Sequence, residues 1–469
     1  MLLRFSLVSI LVVRCATAVT IHVPGDHPNI QSGIDAAAEN DTVLVAPGTY
    51  VGQANKDLDF HGSDRVLLSE GGAAFTIIDC VPGWNGGRGF YFHSGETAST
   101  VVRGFTITGG TAFDGAGIYC LDSSPTIEDC KISNNSATHM GGGVFCQNAD
   151  PILSNCHIVD NSALARGGGI YAVDASPTIR NSKISFNRAE EYGGGVYSWG
   201  SSSLSAIGSA ISHNFAGIYG GGLYFTGPGS VTLEECRVSE NLAEQNGGGL
   251  FLYDSSASLD RCKIKWNSSE YGGGVFCSGA KAPTFSNCQI SENAARNYGG
   301  GMYCYKGSAL LENSLVASNR AQYGGGLRCY QASPILNHCT FTDNRARAGA
   351  GLHGYEASPM VTNSIFWGDS PDEVAFDAQE PGTPTLRYCN IQGGQDGEGN
   401  IDADPIFRTF EPYDYILGQN SPCIDSGTGE DDGIQWEQWC DRFPAYCGHY
   451  AQAPDMGAYG GPGAVNWLP

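Results

Sequence analysis

The chain has 469 residues, among them 66 glycines and 17 cysteines, and a formal net charge of −23. So acidic a balance excludes binding that needs a positive field over the whole molecule, as nucleic acid and anionic lipid do, and no basic stripe is legible along the sequence to offset it. Glycine is about twice its usual share. The glycines recur in register, so they punctuate a structure and do not mark a low-complexity tail.

The first eighteen residues read as a secretory signal. Arg4 supplies a basic end, Leu7 to Val13 an apolar run, and Ala16-Thr17-Ala18 a small-x-small cleavage site. Arg14 is unusual inside that boundary, and an arginine directly before Cys15 does not suit a lipid-attachment box. No later stretch approaches 18 apolar residues, so no membrane-spanning helix is expected. The expected location is secreted or at the cell surface. Thr20 to Pro24 then reads as a strand, Ile30 to Ala37 as a short helix and Asp41 to Tyr50 as a first coil strand. Ile30, Ile34, Ala37 and Ala38 fall on one helical face, suited to covering an open core end.

From residue 112 to 370 one phrase recurs ten times: two or three glycines, an aliphatic residue, usually an aromatic, often a cysteine. The copies start at Gly115, Gly141, Gly167, Gly193, Gly220, Gly247, Gly272, Gly299, Gly324 and Gly349. A fixed period of this length marks a solenoid, whose units bury apolar faces by stacking on their neighbours. Alternation in Val144-Phe145-Cys146 and Ile170-Tyr171-Ala172 predicts a strand, with the aliphatic and small residues facing one way and the aromatic the other. A turn such as Asp122-Ser123-Ser124-Pro125 follows, then a second strand carrying Ile127, Cys130 and Ile132. Two or three strands per turn, all parallel between layers, predict an all-β, single-stranded, right-handed parallel β-helix. Allowing three coils before Gly115, about 13 coils stacked at roughly 4.8 Å make a rod about 60 Å long. Residues 19–111 form the cap and first coils, 112–370 the ten repeats and 371–469 the closing segment.

Most cysteines are periodic. Cys120, Cys146, Cys277, Cys304 and Cys329 share one column; Cys130, Cys156, Cys236, Cys262, Cys288 and Cys339 share another, filled elsewhere by Ser182, Ser209, Ser314 and Ser364. A position open to either Cys or Ser calls for a small buried side chain and does not call for a bridge. Cys440 and Cys447 lie outside the register and are the disulfide candidates. Asparagine occupies nine successive copies, from Asn135 through Asn241 to Asn344. Stacked amides at a left-handed bend account for that column as an internal ladder. No GK[ST] follows any glycine triplet, which rules out a phosphate loop.

These repeats resemble right-handed parallel β-helix repeat proteins, and the pairing of GGG-aliphatic with Ile-x-x-Asn is similar to the GGA[ILV]/FxxN repeats of polymorphic outer-membrane proteins. The resemblance covers nearly the whole mature chain. It includes the opening segment just described and the closing Asp404-Pro405-Ile406-Phe407, Asn420 to Gly427 and Asp455-Met456-Gly457-Ala458-Tyr459. No segment up to Pro469 reads as the C-terminal translocator barrel of those proteins, so self-anchoring in a cell outer membrane is not expected. The pectin-lyase-like fold implied hosts enzymes and adhesins alike, and fold alone does not choose between them.

Two surface features bear on function. The aromatic column Tyr119, Phe145, Tyr171, Tyr197, Tyr224, Phe251, Phe276, Tyr303 gives way to Arg328 and His353, and a second aromatic row runs Trp199, Tyr253, Tyr305, Tyr330, Tyr355. Such rings serve either as a platform for sugars or as a stack upon one another. Tyr303, Tyr305, Arg328, Tyr330, His353 and Tyr355, beside Lys306 and Glu356, are the candidate ligand-binding residues. Asp396, Glu398, Asp402 and Asp404, or Asp372, Glu373 and Asp377, are oxygen-rich enough to be calcium candidates. No acid/base pair or cofactor motif is evident, and Asp431-Asp432 lacks a matching histidine. The expected function is a non-catalytic recognition or adhesion scaffold that contacts a polysaccharide or another cell-surface component. The alternative is a polysaccharide lyase or glycoside hydrolase acting on the outer strands of the last repeats.

Overall fold

The computed structural model describes residues 18–81, 86–377, 382–410, 413–418, 420–424, 426–428 and 455–458. The signal segment, Cys440, Cys447 and Asp431-Asp432 lie outside these. The chain winds as a β-solenoid whose coils lay strands on up to four parallel sheets. In the coil that follows Gly115 these strands are Ile118–Leu121, Thr126–Glu128, Lys131–Ser133 and Ser136–Met140, and they define the first to fourth sheets. The sheets hold 12, 15, 14 and 8 strands respectively. Register is residue for residue: Ile118 faces Val144, Tyr119 faces Phe145 and Cys120 faces Cys146.

The fourth sheet exceeds the two or three strands per turn expected. Its outward residues keep no hydrophobic pattern, as Ser136, Arg188, Phe215 and Leu242 show, because they face solvent and not the core. The stack agrees with the roughly 13 coils expected, its second sheet running from the cap strand Thr20–Val23 to the late strand Thr385–Arg387. The cap helix spans Ile30–Ala36, with Asn29 accepting from the Ser32 amide at 2.9 Å. Ile30, Ile34 and Ala37 are buried, but Ala38 is exposed, because the helix has already ended.

Glycine makes each coil close enough to stack. Gly220, at φ +67, takes the left-handed turn, while a Cβ on Gly221 would lie 2.5 Å from the carbonyl oxygens of Leu242 and Gly248. Inside, one continuous core runs the length of the rod. The Cys/Ser column explains itself there. Ser182 Oγ donates to the Arg180 carbonyl at 2.7 Å, and Cys262 Sγ reaches the equivalent Asp260 carbonyl at 3.4 Å. A small side chain that closes the bend onto a carbonyl is the requirement, and both residues meet it. All fourteen described cysteines are buried free thiols. The stacked pair Cys277 and Cys304 has sulfurs 3.1 Å apart, well beyond the roughly 2.05 Å of a disulfide. Burial pushes the Cys339 and Cys389 thiols up to about 12, so they stay protonated at neutral pH.

The asparagine ladder is continuous. Asn241 Nδ2 donates to Asn267 Oδ1 and to the Ile211 carbonyl, both at 2.9 Å, and its backbone N–H meets the same Oδ1 at 3.0 Å. The left-handed residue of this bend precedes the asparagine (Asn134 at φ 56, Glu240 at φ 58), because the ladder amide itself must stay extended enough to reach the next layer. The ladder begins where the Gly110 amide donates to Asn135 Oδ1 and ends where Asn344 donates through N and Nδ2 to Asp369 Oδ1, at 2.6 and 2.9 Å.

Candidate functional site

The first sheet presents its aromatic column outward, and for most of the rod the rings satisfy one another. Tyr119, Phe145, Tyr171, Tyr197, Tyr224, Phe251 and Phe276 stack with centroids 4.8–5.2 Å apart and planes within 8°. They are covered as well: Tyr192 packs over the early rings, Tyr219 and Tyr271 over the later ones. Phe145, Tyr171, Tyr197 and Phe251 are buried within the stack and closed to a sugar, and Phe276, also buried, borders the groove at its end. Of the two readings, stacking holds here.

The pattern breaks in the last coils. Tyr303 meets Phe276 edge-on at 83°, and the next two positions are Arg328 and His353. A groove of about 770 Å³ opens at this break. Tyr305, Tyr330 and Tyr355 form a half-buried ladder along it, with centroids 5.3 and 4.9 Å apart and planes 18° and 3° from parallel. Lys306 lies 5.5 Å over the Tyr305 ring. Glu356, outside the groove, accepts a hydrogen bond from Gln331. Arg328 lines the groove although its side chain is only 7% exposed. Its Nη2 lies 3.6 Å from Asp377 Oδ2, its guanidinium sits 5.4 Å over the Tyr298 ring, and its Nε and Nη1 have no hydrogen-bond partner among the described residues. A buried charge held by one long ion pair, with two donors idle, is costly unless something completes it.

Five of the six candidate residues therefore converge. His353 does not join them: it is 3% exposed, its ring meets Tyr323 edge-on at 5.4 Å and it does not line the groove. The column position that reads as outward is roofed at that layer. Among the described residues the only carboxylate lining the groove is Asp377. Of the calcium candidates, Asp402 Oδ1 caps the Gly393 amide, Glu398 accepts from the Tyr388 hydroxyl and Asp404 caps Ile406. They are used by the turns that carry them. Among the described residues no three His, Cys, Asp or Glu side chains converge as a metal site.

Glu373 is placed elsewhere, against the end of the asparagine ladder. Its Oε1 accepts from the Asp369 amide at 3.1 Å, and Asp369 Oδ2 and Glu373 Oε2 are buried without partners. Burial and the neighbouring carboxyl hold Asp369 well above the ordinary carboxylate range, and burial pushes Glu373 up to about 7. Each ladder asparagine gives Nδ2 to a carbonyl in the layer before; Asp369 sets Oδ2 at that place and needs a proton to act alike.

One feature of the surface is invisible in the linear order. On the fourth sheet, Arg296, Arg320, Arg345 and Arg347 gather beside a second groove of about 740 Å³. Reading the residues one and three places after each ladder asparagine would have revealed it. Those columns end in Arg320, Arg345 and in Arg296, Gln322, Arg347.

The model for proteins described as "Right handed beta helix region" matches residues 52–215 and 194–366. No curated protein matches the chain. Among solved structures, pectate lyase Pel9A is similar over 95% of this chain and 97% of its own, at 11% identity and a TM-score of 0.30. The A-module of mannuronan C-5 epimerase AlgE6 from Azotobacter vinelandii is similar over 80% and 94%, at 12% identity and a TM-score of 0.31. The family match spans over half of the chain, and with the in-register parallel coils it carries the conclusion: this chain belongs to the right-handed β-helix region family.

Proposed function

We propose that the protein is an exported recognition scaffold that holds a glycan, without turning it over, in the groove of its last coils. One observation carries the reading. The aromatic stack, closed for seven rings, opens where Tyr305, Tyr330 and Tyr355 line a groove beside a buried Arg328 with two unengaged N–H donors. Tyrosine faces offer apolar platforms for sugar rings, and the arginine offers directional donors to ring substituents. Among the described residues the one carboxylate lining the groove faces Arg328, so these residues set no separate acid and base there to work on a glycosidic bond.

The test is incubation of the purified protein with a panel of neutral and acidic polysaccharides, with and without calcium. Binding, new reducing ends and unsaturated products are followed together. Saturable binding lost in Tyr330→Ala and Arg328→Gln, with no product in any arm, is the expected result. Turnover of any polysaccharide would overturn the non-catalytic assignment in favour of a lyase or hydrolase, and binding unchanged in both variants would remove the groove.

A further inference from the structure

The arginine groove on the fourth sheet is a different place with different chemistry. Arg296, Arg320, Arg345 and Arg347 are all exposed, and among the described residues none of them makes an ion pair. Arg320 and Arg345 face each other directly across neighbouring layers. Like charges so placed oppose the stacking of their strands. Among the described residues no acidic side chain lines the groove, in a chain with 48 acids.

The earlier coils show how the same backbone avoids that cost. Arg188 holds the position of Arg320 and Arg345, and Glu190, two residues along, neutralises it at 2.8 Å. The Glu190 column runs through Gly217 to Glu244 and Glu270, then changes sign: Arg296, Gln322, Arg347. Glu270, the last acid, turns aside and accepts from Asn297 Nδ2 at 2.9 Å. Three successive layers thus present cations at a rise of about 4.8 Å, above a floor kept low by Ala294, Ala321 and Ala346. At physiological salt exposed charges act over roughly 8–10 Å, so the field in the groove is set chiefly by the charges that line it, and among the described residues these are the four arginines.

We propose that this groove binds a sulfated or carboxylated polysaccharide laid along the rod axis, one anionic group to each arginine layer. Planar guanidiniums pair two-pronged with carboxylate or sulfate oxygens. A nucleic acid fits less well. Stacked duplex phosphates recur every 3.4 Å or so on a strand, out of step with the layers, and no aromatic side chain lines the groove to stack a single strand's bases.

Labelled dextran sulfate, carboxymethyl dextran, unmodified dextran and oligothymidylate serve as probes against the full chain. Binding of one or both charged dextrans, weakening as salt is raised, is the expected result, and which one binds identifies the anion. R320Q/R345Q should weaken it by roughly tenfold or more. Q322E, which rebuilds the arginine–acid pair of the Arg188 coil without removing an arginine, should weaken it a few-fold. R188Q should leave it unchanged. Each variant is compared by circular dichroism and thermal melting. Binding unaltered in folded R320Q/R345Q, equal retention of unmodified dextran, or tighter binding of oligothymidylate would each overturn the proposal. None of these substitutions touches a residue lining the tyrosine groove, so failure here leaves that reading standing, and the reverse holds too.

Discussion

The early coils and the last three share one backbone path and one core, yet their outer faces behave oppositely. In the early coils ring stacks on ring in the next layer, and arginine pairs with glutamate within a coil or one layer on. In the last three the ring stack opens and the acid column turns basic. In-register stacking sets each residue beside its own column, so a column must satisfy itself or stand unsatisfied. The scaffold is the satisfied state, and sites arise where a column stops satisfying itself.

That contrast breaks most sharply in the ladder. Asn241→Asp would set an acceptor against the Ile211 carbonyl and the Asn267 amide oxygen, where the native amide donates to both. It should cost about 3 kcal/mol or more in thermal unfolding. Asp369, the same exchange made naturally at the ladder's end, is tolerated because Glu373 lies beside it and the site can hold a proton.

The pH dependence follows from that pair. The carboxyl of Glu373 titrates near 7 when folded, against an ordinary value of 4.5, so between those pH values the folded chain binds more protons than the unfolded one. Stability is therefore full below the ordinary carboxylate range and falls as pH rises through about 7. Besides each other, the charged group facing the pair is Asp343, which acts in the same direction. Melting temperatures from pH 4 to pH 9 should show the loss, and Asp369→Asn or Glu373→Gln should flatten it.

Arg328→Tyr would make the last coils resemble the early ones. Restoring a ring to the column should stabilise the protein by about 1 kcal/mol while abolishing glycan binding in the groove. A melting point that drops instead would show that Arg328 is needed for folding. The smallest effect is expected for Cys236→Ser, since Ser182 and Ser209 already fill that column. A change below about 1 kcal/mol, with the same response to reductant in both proteins, would confirm that the thiol is only a small hydrogen-bonding filler.

Much of this was legible from period alone. In-register stacking keeps the core columns in composition, so the glycine starts, the Cys/Ser column and the asparagines could be read directly, and Arg328 stood out as a break. What escaped was set by geometry across coils. Whether Tyr171 is bare or covered depends on Tyr192, which belongs to a different sheet at the corner of the coil. His353 and Arg328 look equivalent in the alignment, but only Arg328 reaches a groove. The four arginines lie up to 51 positions apart and meet only after the chain has wound back twice.

The asparagine ladder has one more consequence. Each rung carries its own donor and its own acceptor, and nothing in a rung records which number it is. Length is therefore a matter of counting: a further 26-residue copy spliced between Asn161 and Asn241 would find both neighbours ready for it and would carry the two grooves about 4.8 Å farther from the capped end. The fold works as a ruler, with its sites mounted at a distance set by how many identical marks precede them.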